Sequence, residues 1–340
     1  MDDGLTSMQG VFDETWEALF VDWLSDFHAR KTRRAYHDAW RDFMQWYGLD
    51  KHPKTVKPSD VLRYRNVLET QPRKKTGQPY SPSSINQQLA AIASFYRYAV
   101  THDAIEHNPA VSVRRKPVSP YGKAVWLDGE ARQDVQLLQA IDTRTEQGCR
   151  DLALFLLFLT SALRVGAVAN LRLENLRKQG QKRFVRYTEK GGRQIEKAIE
   201  PITAQAIDLY LSKRYEQSRD GPDPTSPLFA PTARGKRAIA NLKHTDLTAR
   251  AGEKPLSAGA INKLLKAYCN QVFGKGHGIT PHSLRHTAAR NAVLSGATLA
   301  EVSQLLAHKS PAVTLVYLHA TDQGGDKVSR KLGKRYEDLD

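Results

Sequence analysis

Apolar side chains recur at helical spacing along most of the chain. Tyr36, Trp40, Phe43 and Tyr47 follow one another at steps of four, three and four behind Thr32, a candidate cap. That stripe predicts an amphipathic helix with Arg33, Arg34 and Arg41 lying off it. The pattern returns after Ser81-Pro82, a capping residue followed by the residue best suited to a first helical turn. Ile85, Leu89, Ile92 and Tyr96 then face inward and leave Asn86, Gln87 and Arg97 for solvent or a ligand. From Asp151 to Leu163 the sequence is apolar nearly all round, which predicts a helix covered on several sides. Ser257 caps a further helix that turns Ile261, Leu264, Leu265 and Tyr268 inward and Asn262, Lys263 and Lys266 elsewhere. Thr298 to Glu301 reads as a capping box, with Leu299, Val302, Leu305 and Leu306 on the buried face behind it. Only Arg183–Thr188 and Arg193–Ile199 are β-prone, and Lys190-Gly191-Gly192 between them is a hairpin signature in which glycine supplies positive φ. Lys190 thus falls on a hairpin tip. The chain is expected to be mainly α with a small antiparallel β-sheet.

A length of 340 residues leaves room for two domains, each burying its own core. A basic loop, Arg73-Lys74-Lys75-Thr76-Gly77, lies between the first helices, and Asn108-Pro109 leads into Val113-Arg114-Arg115-Lys116-Pro117. The change from periodic to basic, proline-containing sequence predicts a linker over 113–124, between a helical domain at 1–112 and a longer one at 125–340. Such a linker either lies along a phosphate backbone or is a solvated hinge, and the two readings weigh equally.

Charge narrows the class of partner. Fifty-one Lys and Arg stand against 36 Asp and Glu, a formal charge of +15, which favours a polyanion, nucleic acid first, over a merely soluble basic protein. Cys149 and Cys269 share no pairing motif, so neither a zinc cluster nor a disulfide framework is encoded, and a reduced intracellular compartment is expected. Met1 to Gly10 lacks the basic start and apolar run of a secretory leader, and Leu152 to Leu163 is too short to span a membrane. A cytoplasmic protein with no membrane partner is the expectation.

The chemistry concentrates in three places. In Thr280-Pro281-His282-Ser283-Leu284-Arg285-His286-Thr287, a helix opened by Pro281 puts His282 and Arg285 on one face, where imidazole and guanidinium can converge on one oxyanion. His282 and His286 also have metal-ligand spacing, but no glutamate adjoins His282 and no cysteine is near, so no metal is expected. Taken alone, the segment also reads as a plain surface helix. Arg164 stands at the end of the most hydrophobic stretch, where a charge needs a partner, and a buried structural ion pair is the competing reading. His308-Lys309-Ser310 follows the last capped helix, and Tyr317 lies nine residues beyond His308 in Thr314-Leu315-Val316-Tyr317-Leu318-His319. One tyrosine among thirteen is ordinarily a packing residue.

In this order, Arg, Lys on a hairpin, His-x-x-Arg, His and then Tyr, the residues resemble the tyrosine recombinases, or phage integrases. The resemblance runs from about Phe12 to Tyr317 and is densest from Thr280 to His319, where a HxLRH segment leads through a GxxLxxVxxLLxHxS helix to a TxxYxH ending. The first domain is similar to that family's helical core-binding domain, Asn108-Pro109 included. No amino-terminal arm-binding domain is expected, so the two-domain, Cre- and Xer-like members are the nearer ones.

The resemblance implies a two-domain DNA clamp, a helical core-binding domain and a tyrosine recombinase catalytic domain. Arg164 and Arg285 become phosphate-clamping arginines, Lys190 the general acid on the hairpin, His282 and His308 the remaining phosphate contacts, and Tyr317 the nucleophile. Two fixed guanidiniums neutralise the charge that grows on a phosphodiester under attack, about 1.5–3 kcal/mol for each charge-assisted contact. Phenol, with a pKa near 10, must lose its proton as it attacks, to His282 or a neighbour. The departing 5′ oxygen needs a proton, which Lys190 supplies, although Lys182 and Lys197 lie close in sequence. A 3′-phosphotyrosine keeps the energy of the broken bond, so the resemblance implies no cofactor, neither metal nor ATP.

The same resemblance implies double-stranded DNA with an inverted-repeat recombination site as partner, and a homotetramer that passes through a Holliday junction. Val328, Leu332 and Tyr336 recur at four-residue steps and form a candidate docking tail for a neighbouring subunit. Asn86, Gln87, Arg97, Arg114, Arg115, Asn262, Lys263 and Lys266 are the candidate DNA contacts. A bacterial, archaeal or phage-encoded, nucleoid-associated protein would fit. Two positions depart from the family pattern. Ala167 stands where an acidic residue is usual, removing an orienting carboxylate, and Ala307 stands for a glycine, a change expected to be tolerated if the backbone there is helical rather than left-handed. A non-cutting DNA-binding regulator, a type IB topoisomerase and a telomere resolvase are the alternatives.

Overall fold

The computed structural model describes residues 14–73, 77–118, 125–129, 131–189, 192–216, 222–232 and 254–307. The chain divides into two compact units, 1–119 and 120–340.

In the first unit α1 (Glu14–Ser25), α2 (Arg30–Tyr47), α3 (Pro58–Thr70) and α4 (Pro82–Thr101) enclose an aromatic core. Trp40 and Phe43 of α2 are fully buried, and the Trp40 ring lies 4.0 Å from that of Phe95 on α4. The expected stripe is therefore the packing face. Its start is different: α2 begins at Arg30 behind Ala29, and Thr32 sits inside the first turn. Phe27 packs on Tyr36, and its carbonyl accepts from the Arg33 guanidinium, so tertiary contacts fix a start that no side chain caps. In α4 the expected cap is present, Ser81 Oγ accepting from Ser84 N–H, and Ile85, Leu89, Ile92 and Tyr96 are buried.

Residues 113–118 are fastened to this unit. Val113 is buried in its core, and the Asn86 amide pairs with both backbone groups of Lys116 at 2.8 Å. Lys116 also pairs with Glu69 on α3 at 2.9 Å. Residues 119–124 lie outside the described residues.

The second unit is built around α6 (Glu146–Ser161), which packs against α8 (Pro201–Tyr215) and α10 (Pro281–Leu294). Also present are α5 (Gln133–Gln139), α7 (Val165–Ala169), α9 (Ala258–Phe273) and α11 (Leu299–Leu306). Caps at Thr145, Ser257, Thr280 and Thr298 each accept a backbone N–H of the first turn. The apolar stretch is accordingly one helix that starts at Glu146, ahead of the expected Asp151, because Thr145 supplies the cap. Arg150 and Asp151 are both buried and paired at 2.7 Å, with Arg150 also donating to Ala230 O and Tyr268 donating to Asp151. The pair is fully hydrogen-bonded, which a buried charge requires.

The sheet is antiparallel, ordered β1 (Leu176–Gln179), β2 (Lys182–Thr188) and β3 (Gln194–Ile199). β2 and β3 are the expected hairpin, paired from Thr188↔Gln194 to Arg183↔Ile199. β1 has no hydrophobic alternation to reveal it; it pairs as an edge strand through a two-residue turn in which Gly180 takes φ 59°.

Gly148 shows how closely α6 is seated: a Cβ there would lie 1.9 Å from the Asp142 carbonyl oxygen. Gly148→Ala is expected to destabilise the protein by about 1–3 kcal/mol, read as a lowered urea midpoint at unchanged slope.

Candidate active site

The site forms where α6 and α11 end side by side. An α-helix leaves its last carbonyls without internal partners, and those carbonyls carry the negative end of the helix dipole. At the end of α6, Ala162 adopts the left-handed conformation (φ 51°, ψ 33°) and turns the chain into Leu163 and Arg164. At the end of α11, Ala307 does the same (φ 49°, ψ 42°). The condition on which alanine for glycine was expected to be tolerated, a helical backbone at Ala307, is therefore not met. An L-residue there meets the steric cost that glycine avoids, roughly 1–2 kcal/mol.

Two cations join these ends. Arg285 on α10, 2 % exposed, donates to Ala162 O at 2.6 Å and to Leu306 O. Lys197 on β3 donates to Ser161 O at 2.9 Å and to Leu305 O. Burial, then the nearby Arg285, lowers the Lys197 ammonium to about 8, with Glu189 opposing the shift. Lys182, by contrast, is exposed at the far end of β2.

Arg164 stands at the N-cap position of α7 without a side-chain capping bond; its side chain is 39 % exposed and paired with Glu189, which is 9 % exposed. Arg164 thus has an ion-pair partner, as a charge in that position needs, and still presents a face to solvent. One turn before Arg285, His282 lies at the surface; partial burial first, then Arg285 and Arg164, lower its pKa. The shift favours the neutral imidazole, the form able to accept a proton. His282 and His286 rings meet edge to face at 4.3 Å. The opposite face of α10 is anchored by Thr287 Oγ1, which accepts from Leu127 N–H at 2.8 Å, and by Asn291, which donates to Asp134.

Arg164, His282 and Arg285 are therefore brought together, with Lys197 and Glu189 among them. Lys190, His308, Tyr317 and the tail from Leu318 lie outside the described residues. Of the candidate DNA contacts, Gln87 and Arg97 on α4 are exposed, as are Arg114, Arg115, Asn262, Lys263 and Lys266. Asn86 is half-buried with its amide committed to Lys116, and Arg115 donates to Asn86 O at 2.6 Å. Glu189 carried no signal in sequence beyond being a carboxylate beside Lys190. Among the described residues no group of three or more His, Cys, Asp or Glu is placed to hold a metal ion. Nor is any helix among them long and apolar enough to cross a membrane.

The sequence profile described as the phage integrase family matches residues 130–324, and that of the phage integrase N-terminal SAM-like domain matches residues 19–106. Tyrosine recombinase XerD of Lacticaseibacillus casei is 28 % identical over 295 residues, covering 87 % of this chain and 89 % of its own. Tyrosine recombinase XerC of Pelotomaculum thermopropionicum is 27 % identical over 285 residues, covering 83 % and 85 %. The Tn1549 transposon integrase, solved in complex with transposon right end DNA, shares the fold with a TM-score of 0.65 at 16 % identity, over 93 % of this chain and 98 % of that one. A lambda integrase dimer bound to a core site aligns with a TM-score of 0.60 at 14 % identity, over 90 % and 94 %.

The left-handed backbone at Ala307 has a measurable consequence. Ala307→Gly is expected to raise stability by about 1 kcal/mol, read as a higher urea midpoint.

Proposed function

Since the chain belongs to the phage integrase family, the tyrosine recombinases, we propose that it cuts and rejoins duplex DNA at paired inverted sites through a 3′-phosphotyrosine on Tyr317. The observation that carries this reading is the convergence of Arg164, Arg285 and His282 at the joined ends of α6 and α11. A phosphodiester placed against the exposed face of Arg164 meets a planar fork of N–H donors. Charge growing on its oxygens in the transition state is stabilised by cations already in place. His282 accepts the phenol proton as Tyr317 attacks, and Lys190 protonates the departing 5′ oxygen. The reverse reaction, with a DNA hydroxyl as nucleophile, reseals the strand with no energy input.

The first unit acts in this reading as the core-binding domain and the second as the catalytic domain. Gln87 and Arg97 on α4 and Asn262, Lys263 and Lys266 on α9 face solvent with side chains suited to phosphates or base edges. Exchange of two strands requires four active sites, hence a homotetramer and a Holliday junction, with the segment after Tyr317 docking on a neighbour.

The test is incubation with labelled duplexes in EDTA, followed by denaturation. A protein–DNA adduct is expected with the wild type and none with Tyr317→Phe; binding without any adduct, even on nicked duplexes that trap the intermediate, would make a non-cutting DNA-binding regulator the better reading. The same assay across pH probes His282. Because its pKa is lowered, the neutral, proton-accepting form is lost at a lower pH than that of an ordinary imidazole. The adduct rate is therefore expected to fall toward acid pH as His282 gains its proton; a rate that rises on acidification would contradict the role.

A further inference from the structure

Arg164 stands at the N-cap position of a helix that offers it no carboxylate, since Val165 to Ala169 reads VGAVA. Its ion-pair partner comes from a different element. Glu189 follows the last residue of β2, and its backbone closes the base of the hairpin: its N–H donates to Arg193 O at 2.8 Å, and its carbonyl accepts from Gly192 N–H at 3.0 Å. One carboxylate oxygen takes the Arg164 guanidinium. The other is buried and has no hydrogen-bond partner among the described residues. A carboxylate only 9 % exposed is held in low dielectric, where it pairs strongly with a cation and orients it. Arg164, at 39 %, is paired through Nη1 and remains partly exposed. No other carboxylate is paired with Arg164 among the described residues, and Arg285 and Lys197 on the far side are engaged by helix carbonyls.

We propose that Glu189 is a positioning residue for strand cleavage: it fixes the Arg164 fork toward the scissile phosphate and ties the end of β2 to that arginine. The assignment rests on the cleavage reading above. It makes the β2–β3 pair and the arginine one unit, joined among the described residues through the Glu189 carboxylate.

Glu189→Gln keeps the shape and removes the charge, and Glu189→Asp keeps the charge with a shorter reach. Both are compared with the wild type for DNA affinity, melting temperature and single-turnover adduct formation on a nicked duplex. Glu189→Gln is expected to bind DNA within about threefold of wild type and to form adduct about 10- to 100-fold more slowly, because a mispositioned guanidinium costs transition-state contacts more than ground-state binding. Glu189→Asp is expected to retain at least about a third of the wild-type rate. A Glu189→Gln rate equal to wild type overturns the assignment. A faster one would mean that Glu189 is a latch on Arg164, and overturns it too. So does a loss of affinity as large as the loss of rate, which would mark a structural role. If Glu189→Gln melts early, Glu189→Asp decides: an equally slow Asp protein with wild-type melting overturns the assignment. Wild-type protein that forms no adduct defeats the cleavage reading itself, whereas wild type and Glu189→Gln cutting alike defeat this assignment alone.

Discussion

Two helix ends, each with carbonyls left over, have to lie side by side without repelling one another, and Arg285 is what allows it. Its buried guanidinium bridges Ala162 O at the end of α6 and Leu306 O at the end of α11. Lys197 makes a parallel bridge one residue earlier in each helix, from Ser161 O to Leu305 O. Without cations there, two negative helix ends would face each other in a poorly solvated place. With them, the end of α6 is fixed, and so is the turn at Ala162 that delivers Arg164. The arginine that the family resemblance assigns to phosphate binding is therefore also the one that assembles the site.

That arrangement concentrates positive charge. Burial first, and then the neighbouring Arg285 and Arg164, lower the pKa of His282 and bring the Lys197 ammonium down to about 8. Glu189 is the counterweight, raising Lys197 while it pairs with Arg164. An anion entering such a field is attracted before it makes a contact, and the overall charge of +15 extends that attraction over the surface. The same excess is costly in the free protein, which is a reason for one buried carboxylate to remain among the cations.

Helices with a side-chain cap and a one-sided apolar stripe were legible from sequence: α4, α9 and α11 lie where Ser81, Ser257 and Thr298 place them. α2 started early because Phe27, packing on Tyr36 and accepting from Arg33, acts in place of a cap, and such contacts leave no local signature. β1 was missed because only Leu176 of its residues is even partly buried, so pairing rather than burial defines it. For the site, His-x-x-Arg spacing marked His282 and Arg285 and the end of an apolar helix marked Arg164, but it was the family resemblance that joined them into one candidate set. Glu189 and the double role of Lys197 were not legible, since each depends on a contact across the fold rather than on spacing. The left-handed turn at Ala307 likewise follows from how α11 ends, which the residue type alone does not specify.

Arg285 as builder and Arg164 as charge can be separated in one experiment. Arg164→Ala and Arg285→Ala would be assayed for covalent cleavage on duplexes carrying either an ordinary phosphodiester or a neutral methylphosphonate at the cut position. Removing the phosphate's charge removes the need for a neutralising guanidinium but does nothing for a disassembled site. The account predicts that the methylphosphonate restores cleavage by Arg164→Ala and not by Arg285→Ala. Equal restoration of both would contradict it, since the joined helix ends would then stand without Arg285.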